Sequence, residues 1–147
     1  MERSLGSPLP PDWPGDAPVE VWTQRAHDPA GLQWSARAVI LRETGAMIGH
    51  AGFHLPPGAD EIAEWAPGGV EIGYTVFEAY RRRGYAAEAT RGLVDFAREN
   101  GVPSVLATTT VGNIASRGVL QSCGFERVDQ VLEDDIVEDV WILPLTP

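Results

Sequence analysis

The sequence predicts one α/β domain, and three consecutive segments of its second half carry that prediction. Residues 70–77 (VEIGYTVF) and 104–110 (SVLATTT) are rich in β-forming residues and predict two strands. Between them, residues 85–100 place apolar side chains on one face at helical spacing, namely Ala86, Ala89, Leu93, Phe96 and Ala97. Because a helix joins the two strands, we expect them to be parallel neighbours. The length of 147 residues suits one such core, so residues 1–147 are expected to form a single domain.

The segments on either side of this unit predict further strands. Residues 36–53 indicate two strands around a turn at Thr44-Gly45. Residues 54–69 are dense in proline, glycine and acidic residues and predict a loop. The elements expected after the 104–110 strand are a short helix over about 113–122 and two strands near 125–132 and 136–143.

The first part of the chain is less regular. Residues 1–15 are rich in proline and polar residues and predict an irregular arm. Residues 16–27 carry apolar side chains at helical spacing, but they also alternate in a way that suits a strand. The pattern leaves both structures open for this segment.

The composition argues against several classes of function. Twenty-one acidic residues against eleven basic ones give a formal net charge of −10, which disfavours broad contact with nucleic acid or an anionic membrane. No apolar run approaches the length of a transmembrane helix. The single Cys123 excludes an internal disulfide, and the N-terminus lacks the apolar core of a signal peptide. We therefore expect a cytoplasmic protein.

Within this acidic chain, residues 80–90 (YRRRGYAAEAT) place three arginines and a glycine at the predicted start of a helix. The first amides of a helix lack intrahelical acceptors, and the helix dipole favours an anion there. Gly84 permits a close approach of the backbone to a ligand, and the arginines add charge. The stretch is neither a Walker A loop nor a G-x-G-x-x-G turn. It predicts an anion site, although a solvated arginine run before a packed helix explains it about equally well.

Two longer segments resemble a known family. VEIGYTVFEAYRRRGYAAEAT (70–90) and VLATTTVGNIASRGVLQSCGF (105–125) are similar to the GNAT superfamily of acyl-CoA-dependent N-acetyltransferases. More narrowly, they resemble the branch that includes the ribosomal-protein N-terminal acetyltransferases. The matched motifs are [RQ]-x-x-G-x-[GA] at Arg81, Gly84 and Ala86, E-I-G-Y at 71–74, and N-x-x-S-x-x-[VL]-[LE]-x-x-x-G-F at 113–125. The resemblance extends over residues 8 to 143, with Ala87 where the branch has a threonine.

This resemblance implies a GNAT-like fold: a mixed, mostly antiparallel sheet with a central splayed pair of parallel strands and flanking helices. It implies acetyl-CoA as cosubstrate and no metal, with the pyrophosphate held at the 81–86 loop. The pantetheine arm would lie in the splay between the 70–77 and 104–110 strands. The cofactor-binding residues implied are Thr75, Val76, Phe77, Arg81, Arg82, Arg83, Gly84, Tyr85, Ala86, Asn113 and Ser116.

The resemblance also implies direct attack of a primary amine, on a protein N-terminus or a small molecule, on the thioester. Glu71 is the candidate base, acting through water, and with Tyr74 it is expected to contact the amine substrate. Many family members carry a tyrosine, as general acid for the thiolate, where this chain has Leu120. Ser116 is therefore the candidate donor to the sulfur, which makes Glu71 and Ser116 the two predicted catalytic residues.

Two departures from the family leave alternatives open. Leu120 favours a second interpretation, a non-catalytic acyl-CoA-binding regulatory domain. The family also places a strand and a helix before the segment LPPDWP, where this chain has about seven residues. Either the native start lies upstream of Met1, or an edge strand is left exposed and invites a partner, in which case a homodimer is expected. His50 and His54 share a strand face without an evident third ligand, so they predict no metal site.

Overall fold

The computed structural model describes residues 32–145, which form a mixed sheet with two helices. In chain order the strands are β1 (Ala36–Ile40), β2 (Met47–Leu55), β3 (Val70–Val76), β4 (Ser104–Thr110), β5 (Glu126–Glu133) and β6 (Ile136–Pro144). The helices are α1 (Tyr85–Glu99) and α2 (Ile114–Ser122), and short 3₁₀ turns occupy Leu32–Trp34, Asp60–Ile62 and Glu78–Tyr80. The order of the strands across the sheet is β1-β2-β3-β4-β6-β5.

The parallel pair lies at the centre of this sheet. β3 and β4 run parallel, as their connection through α1 predicts, and the other neighbouring strands are antiparallel. β3 and β4 pair only at Val70↔Val105 and Glu71↔Leu106, although each strand has seven residues. Beyond this point the two strands part. The GNAT-like sheet with a splayed parallel pair is thereby confirmed.

The helices pack on one face of the sheet because their apolar residues recur at helical spacing. α1 buries Leu93, Val94 and Ala97 against β2, β3 and β4. Its end is set by Gly101, whose φ of +73° lets the amide of Val102 bond back to the carbonyl of Ala97. The sequence predicted this helix over 85–100, one residue longer than observed.

The opposite face is covered in part by the connection between β2 and β3. Ile62 and Ala66 are buried there against Leu106, Val140 and Ile142. The indole N–H of Trp65 donates a 2.7 Å hydrogen bond to Asp129 of β5 and ties the connection to the edge strand. The sequence predicted only a loop over 54–69. It missed this second core because two apolar residues among acidic ones show no helical or strand period.

Most predicted boundaries agree with the structure. β4 is found at the predicted residues, β3 ends one residue early, and β2 extends to Leu55 instead of 53 because it keeps pairing with Glu71 past a bulge. The predicted arm at 1–15 and the segment 16–27 lie outside the described residues.

Candidate functional site

The parting of β3 and β4 opens a cavity of about 430 Å³ in the centre of the sheet. The cavity begins beyond the last pair between β3 and β4. Helix α2 forms one of its walls with Ser116 and Leu120. Of the residues predicted for the site, Tyr74, Thr75, Asn113 and Ser116 line this cavity. Lining residues that the sequence did not single out for chemistry include Thr108, Thr110 and Glu138, and His54, which it weighed only as a metal ligand, lines the cavity as well.

The backbone of β3 presents two amides to the gap. The amide of Phe77 donates a 2.8 Å hydrogen bond to the carbonyl of Ile48 in β2. Successive residues of a strand direct their backbone groups to opposite sides, so Thr75 also faces β2, whereas Tyr74 and Val76 face β4. The amide of Phe77 is thus engaged with β2, and Tyr74 and Val76 are the residues of this stretch whose backbone groups face β4.

The arginine-glycine turn lies at the edge where β3 ends and α1 begins. Arg82 and Gly84 both adopt left-handed backbone conformations, with φ of +64° and +81°. The amide of Glu88 bonds the carbonyl of Gly84, so the amides of Tyr85, Ala86 and Ala87 precede this first helical hydrogen bond. Left-handed residues that alternate with right-handed ones, directly before the unpaired amides of a helix N-terminus, turn several backbone N–H groups toward one concave surface. Such a surface suits an anion.

The three arginines differ in their engagement with the rest of the structure. Arg81 donates through Nε to the carbonyl of Val76 at 2.8 Å, which holds the turn against the end of β3 and satisfies a carbonyl that faces the gap. The side chains of Arg82 and Arg83 are exposed beside it. The turn therefore combines a fixed guanidinium with two solvated ones.

Tyr74 and Ser116 meet across the cavity. The phenol oxygen of Tyr74 lies 2.7 Å from Oγ of Ser116 and 3.3 Å from its carbonyl oxygen. Burial raises the pKa of the Tyr74 phenol, the hydrogen bond with Ser116 opposes that rise, and Cys123 adds to it. Asn113 caps α2, with its Oδ1 accepting from the amide of Ser116 at 3.1 Å, and so fixes where that serine stands.

Glu71 is the last residue of β3 that pairs with β4. Its side chain is not among the described side chains that line the cavity. Its Oε1 lies 3.6 Å from Nδ1 of His54, which does line the cavity. The His54 ring lies over Gly73, where a Cβ would collide with the imidazole. The glycine of the E-I-G-Y segment thus makes room for His54, a residue that the sequence analysis weighed only as a metal ligand.

The mouth of the cavity on the face opposite the helices is acidic and partly desolvated. Burial raises the pKa of Glu138, and the nearby carboxylates Glu133 and Glu71 raise it further. Burial lowers the pKa of His50, and His54 lowers it further. Glu138 lies on β6 opposite Thr110, and this position brings it to the cavity.

Leu120 is fully buried and contributes to both the cavity wall and the core. Its side chain presents only carbon, so hydrogen bonding at this wall comes from Ser116 and Tyr74. Within residues 32–145, no group of three or more histidine, cysteine, aspartate or glutamate side chains is arranged to hold a metal ion. The helices of the same region are too short or too polar to cross a membrane.

The fold is thus that of an α/β protein whose central parallel strands separate beside a glycine turn and a helix N-terminus. The Acetyltransferase (GNAT) domain family matches residues 10–126, so the chain belongs to the GNAT acetyltransferase family. Members of this family use acetyl-CoA as cosubstrate.

Among curated proteins, the chain is 30% identical over 90 residues to "Uncharacterized N-acetyltransferase YnaD" of Bacillus subtilis, over 60% of this chain and 48% of that protein. It therefore spans about half the length of that relative. A Salmonella typhimurium structure described as "yncA, a putative ACETYLTRANSFERASE … with its cofactor Acetyl-CoA" is 23% identical, with a TM-score of 0.58 over 69% of this chain and 60% of that one. The ribosomal-protein-S5-alanine acetyltransferase of Vibrio fischeri is 13% identical, with a TM-score of 0.66 over 86% of this chain and 67% of that one. At these identities the structural matches establish the fold.

Proposed function

We propose that this chain is an N-acetyltransferase that moves the acetyl group of acetyl-CoA to a primary amine, on a protein N-terminus or a small molecule. The observation that carries the proposal is the parting of β3 from β4 after the pair Glu71↔Leu106, beside the turn that opens α1. This arrangement supports binding of the thioester arm in the gap between the strands, with the diphosphate at the turn.

The turn at 81–86 is the proposed site for the pyrophosphate. The amides of Tyr85 and Ala86, the helix dipole and the exposed guanidinium groups of Arg82 and Arg83 complement two negative charges. The amides of Tyr74 and Val76 would pair with the pantetheine arm in place of the missing β4 ladder. One of them would donate to the thioester oxygen as negative charge builds up there.

Bound acetyl-CoA supplies an acetyl group on a thiolate leaving group. In the transfer the C–N bond forms, the C–S bond breaks and the sulfur leaves with the bonding pair, while the amine gives up one proton. We assign Ser116 as the donor to the sulfur, because its hydroxyl lines the cavity and its position is fixed by the Asn113 cap.

The proton of the amine passes to the face that carries Glu71 and His54. Glu71 reaches the cavity through His54, at 3.6 Å, so a histidine–carboxylate pair is the proposed base in place of Glu71 alone. The carboxylates of Glu71 and Glu138 also favour an amine that arrives as an ammonium ion. A protein α-amino group, with a pKa of roughly 8, needs less help to lose that proton than a lysine at roughly 10.

A second candidate function is supported by Leu120. A domain that binds acyl-CoA and regulates a partner needs the turn and the slot but no acid or base. Ser116 and His54, which line the cavity, and the contact between His54 and Glu71 support catalysis instead.

Calorimetry with acetyl-CoA tests the binding half of the proposal. Gly84→Glu should weaken binding by more than about 100-fold, because it puts a carboxylate at the proposed pyrophosphate site. The matched control is Gly84→Ala, whose Cβ enters open space but strains a left-handed residue, and it should weaken binding only severalfold. Equal affinities for wild type and Gly84→Glu would contradict this assignment of the turn.

Release of free thiol with a panel of amines tests the catalytic half. Turnover with any amine supports the enzyme, and binding without turnover of any amine supports the regulatory domain. Glu71→Gln and His54→Gln should each lower kcat/KM by about 10²-fold. A full rate in His54→Gln would return the role of base to Glu71 or to water.

Three finer assignments belong with this proposal. The motifs support the ribosomal-protein N-terminal acetyltransferase branch, and a named member of that branch shares the fold.

Strand β1 is an edge strand that pairs only with β2 in the described part of the chain, which supports a homodimer. A sedimentation run with only monomer at micromolar concentration would contradict the homodimer. The single cysteine supports a cytoplasmic location.

A further inference from the structure

The pairing of Tyr74 with Ser116 has a geometry that a merely satisfied core tyrosine does not require. A buried phenol needs one acceptor, and a backbone carbonyl is enough. Here the carbonyl of Ser116 is 3.3 Å from the phenol oxygen, beyond the usual range for O–H···O bonds, whereas the serine Oγ is at 2.7 Å, the commonest distance. The short contact therefore joins two hydroxyl groups, both at the cavity.

Two hydroxyl groups in contact can share hydrogens in two ways. Either Ser116 donates to the phenol and Tyr74 donates to the distant carbonyl, or Tyr74 donates to Ser116 Oγ and the serine hydrogen is left to point elsewhere. The phenol is the stronger hydrogen-bond donor of the two groups, and only in the second arrangement does it donate across the short contact. The distances therefore favour the second arrangement. The amide of Ser116 is already bound to Asn113, so the hydroxyl is the group of this residue that can turn toward the cavity.

We propose that Tyr74 is a positioning residue that acts through Ser116, rather than a contact for the amine substrate. Its phenol donates to Ser116 Oγ, so that the serine hydrogen is directed into the cavity toward the leaving sulfur. The inference rests on the proposed function, since it needs a thioester in the gap. No covalent bond to the protein forms: the sulfur leaves with the C–S bonding pair, and the serine hydroxyl stabilises the resulting thiolate by a hydrogen bond.

The surroundings of Tyr74 suit this role. Its raised pKa keeps the phenol protonated at neutral pH, so it stays a donor and does not compete for the proton of the amine. Tyr74 also packs against the core formed by β2, β3 and α1, which limits the movement of its ring. Leu120, one turn further along α2, presents only carbon to the same cavity, so Tyr74 and Ser116 together take the place of the family's tyrosine.

The first test measures the thiol pKa of bound coenzyme A, which needs no amine and no turnover. The thiolate absorbs in the far ultraviolet, and a Cys123→Ala background removes the chain's one protein thiol. In that background Ser116→Ala should raise the pKa of the bound thiol by about one unit, because a donor to the thiolate is lost. Tyr74→Phe should raise it by about half as much, and the double variant no more than Ser116→Ala alone.

The second test separates chemistry from substrate binding. Tyr74→Phe should lower kcat about tenfold with the KM of the amine unchanged, and Ser116→Ala about 10²-fold, without additivity in the double variant. Tyr80→Phe, a change to a tyrosine outside the cavity, is the matched control and should leave both quantities unchanged. Circular dichroism and acetyl-CoA affinity monitor folding in each variant.

The outcomes are distinct for the two proposals. A raised amine KM with an unchanged kcat in Tyr74→Phe would return Tyr74 to the amine groove and overturn the positioning role. Coenzyme A that binds with the same thiol pKa in all variants would overturn it as well, together with the assignment of Ser116 as donor to the sulfur. Acetyl transfer to an amine, which turnover tests, would still stand. Failure of the background protein to bind coenzyme A at all would contradict both.

Discussion

The two halves of the central strand pair differ in what fills the space between them. At Val70↔Val105 and Glu71↔Leu106 the strands are hydrogen-bonded, and Val70 and Val105 are completely buried under α1 while Leu106 is buried on the opposite face. From Gly73 to Val76 the same strands are apart, and hydroxyl, imidazole and carboxylate groups line the gap. The closed half is sealed by apolar side chains, whereas the open half presents backbone amides and polar side chains that water or a ligand must satisfy. One pair of strands thus serves as core at one end and as site at the other.

The largest effect on the free energy of unfolding is expected from shortening a buried side chain in the closed half. Leu106→Ala removes a fully buried side chain from the core beneath the 56–69 connection and should lower the free energy of unfolding by about 2–5 kcal/mol. Thr108→Ala, two residues further on the same face of β4, is the matched change in the open half and should cost less than about 1 kcal/mol. Urea unfolding of both variants measures the difference. Equal losses would show that the open half is as tightly packed as the closed one.

A second prediction concerns Gly73, where the open half begins. Gly73→Ala puts a methyl group into the His54 ring, so we expect about 1–3 kcal/mol of destabilisation and displacement of the imidazole from the cavity. Amine turnover should fall at least about tenfold, because the proposed base moves away from Glu71.

The control for Gly73→Ala is Gly92→Ala, in the interior of α1. A Cβ there meets no atom within 4 Å, and alanine should stabilise the helix by about 0.5–1 kcal/mol. If Gly73→Ala kept full turnover, His54 would not need its position over β3, and the base would lie elsewhere.

A third, smaller effect on stability is expected when the pH is lowered. His50 lies beside the open half, paired with Thr75, and burial followed by the nearby His54 lowers its pKa from 6.5. The unfolded chain therefore binds this proton more readily than the folded one. The contribution of His50 to stability is complete above about pH 6.5 and is lost as the pH falls through the lowered value.

The measurement compares wild type with His50→Gln by urea unfolding near pH 7.5 and near pH 5.5. Stability should fall less in the variant over this interval. Glu138, whose raised pKa has the opposite sign, titrates in both proteins and largely cancels in the difference. An identical pH dependence in the two proteins would mean that His50 is solvated in solution.

The contrast between the two halves also explains how far the sequence could be interpreted. Helix α1 and strands β3 and β4 were predictable because their periods and stop signals are local, and the glycine motif located the turn before α1. The contact of Tyr74 with Ser116 joins residues 42 apart and depends on how α2 packs over the gap, which no local pattern encodes. The pairing of His54 with Glu71 was hidden for a related reason: it follows from the register of β2 and from its bulge near Leu55.

The smallest effect concerns a turn remote from both halves. Asp134 and Asp135, between β5 and β6, have φ of +50° and +64°, as a two-residue hairpin turn requires, but aspartate is strained there and the two charges are adjacent. Asp135→Gly should raise the free energy of unfolding by about 0.5–1 kcal/mol, because glycine adopts the left-handed conformation without a Cβ clash. Since the turn does not line the cavity, acetyl-CoA affinity and amine turnover should stay at wild-type values. A gain in stability with a loss of turnover would show that the hairpin tip is coupled to the open half through Glu138, which lies on the same hairpin and lines the cavity. The open half would then have to include β6.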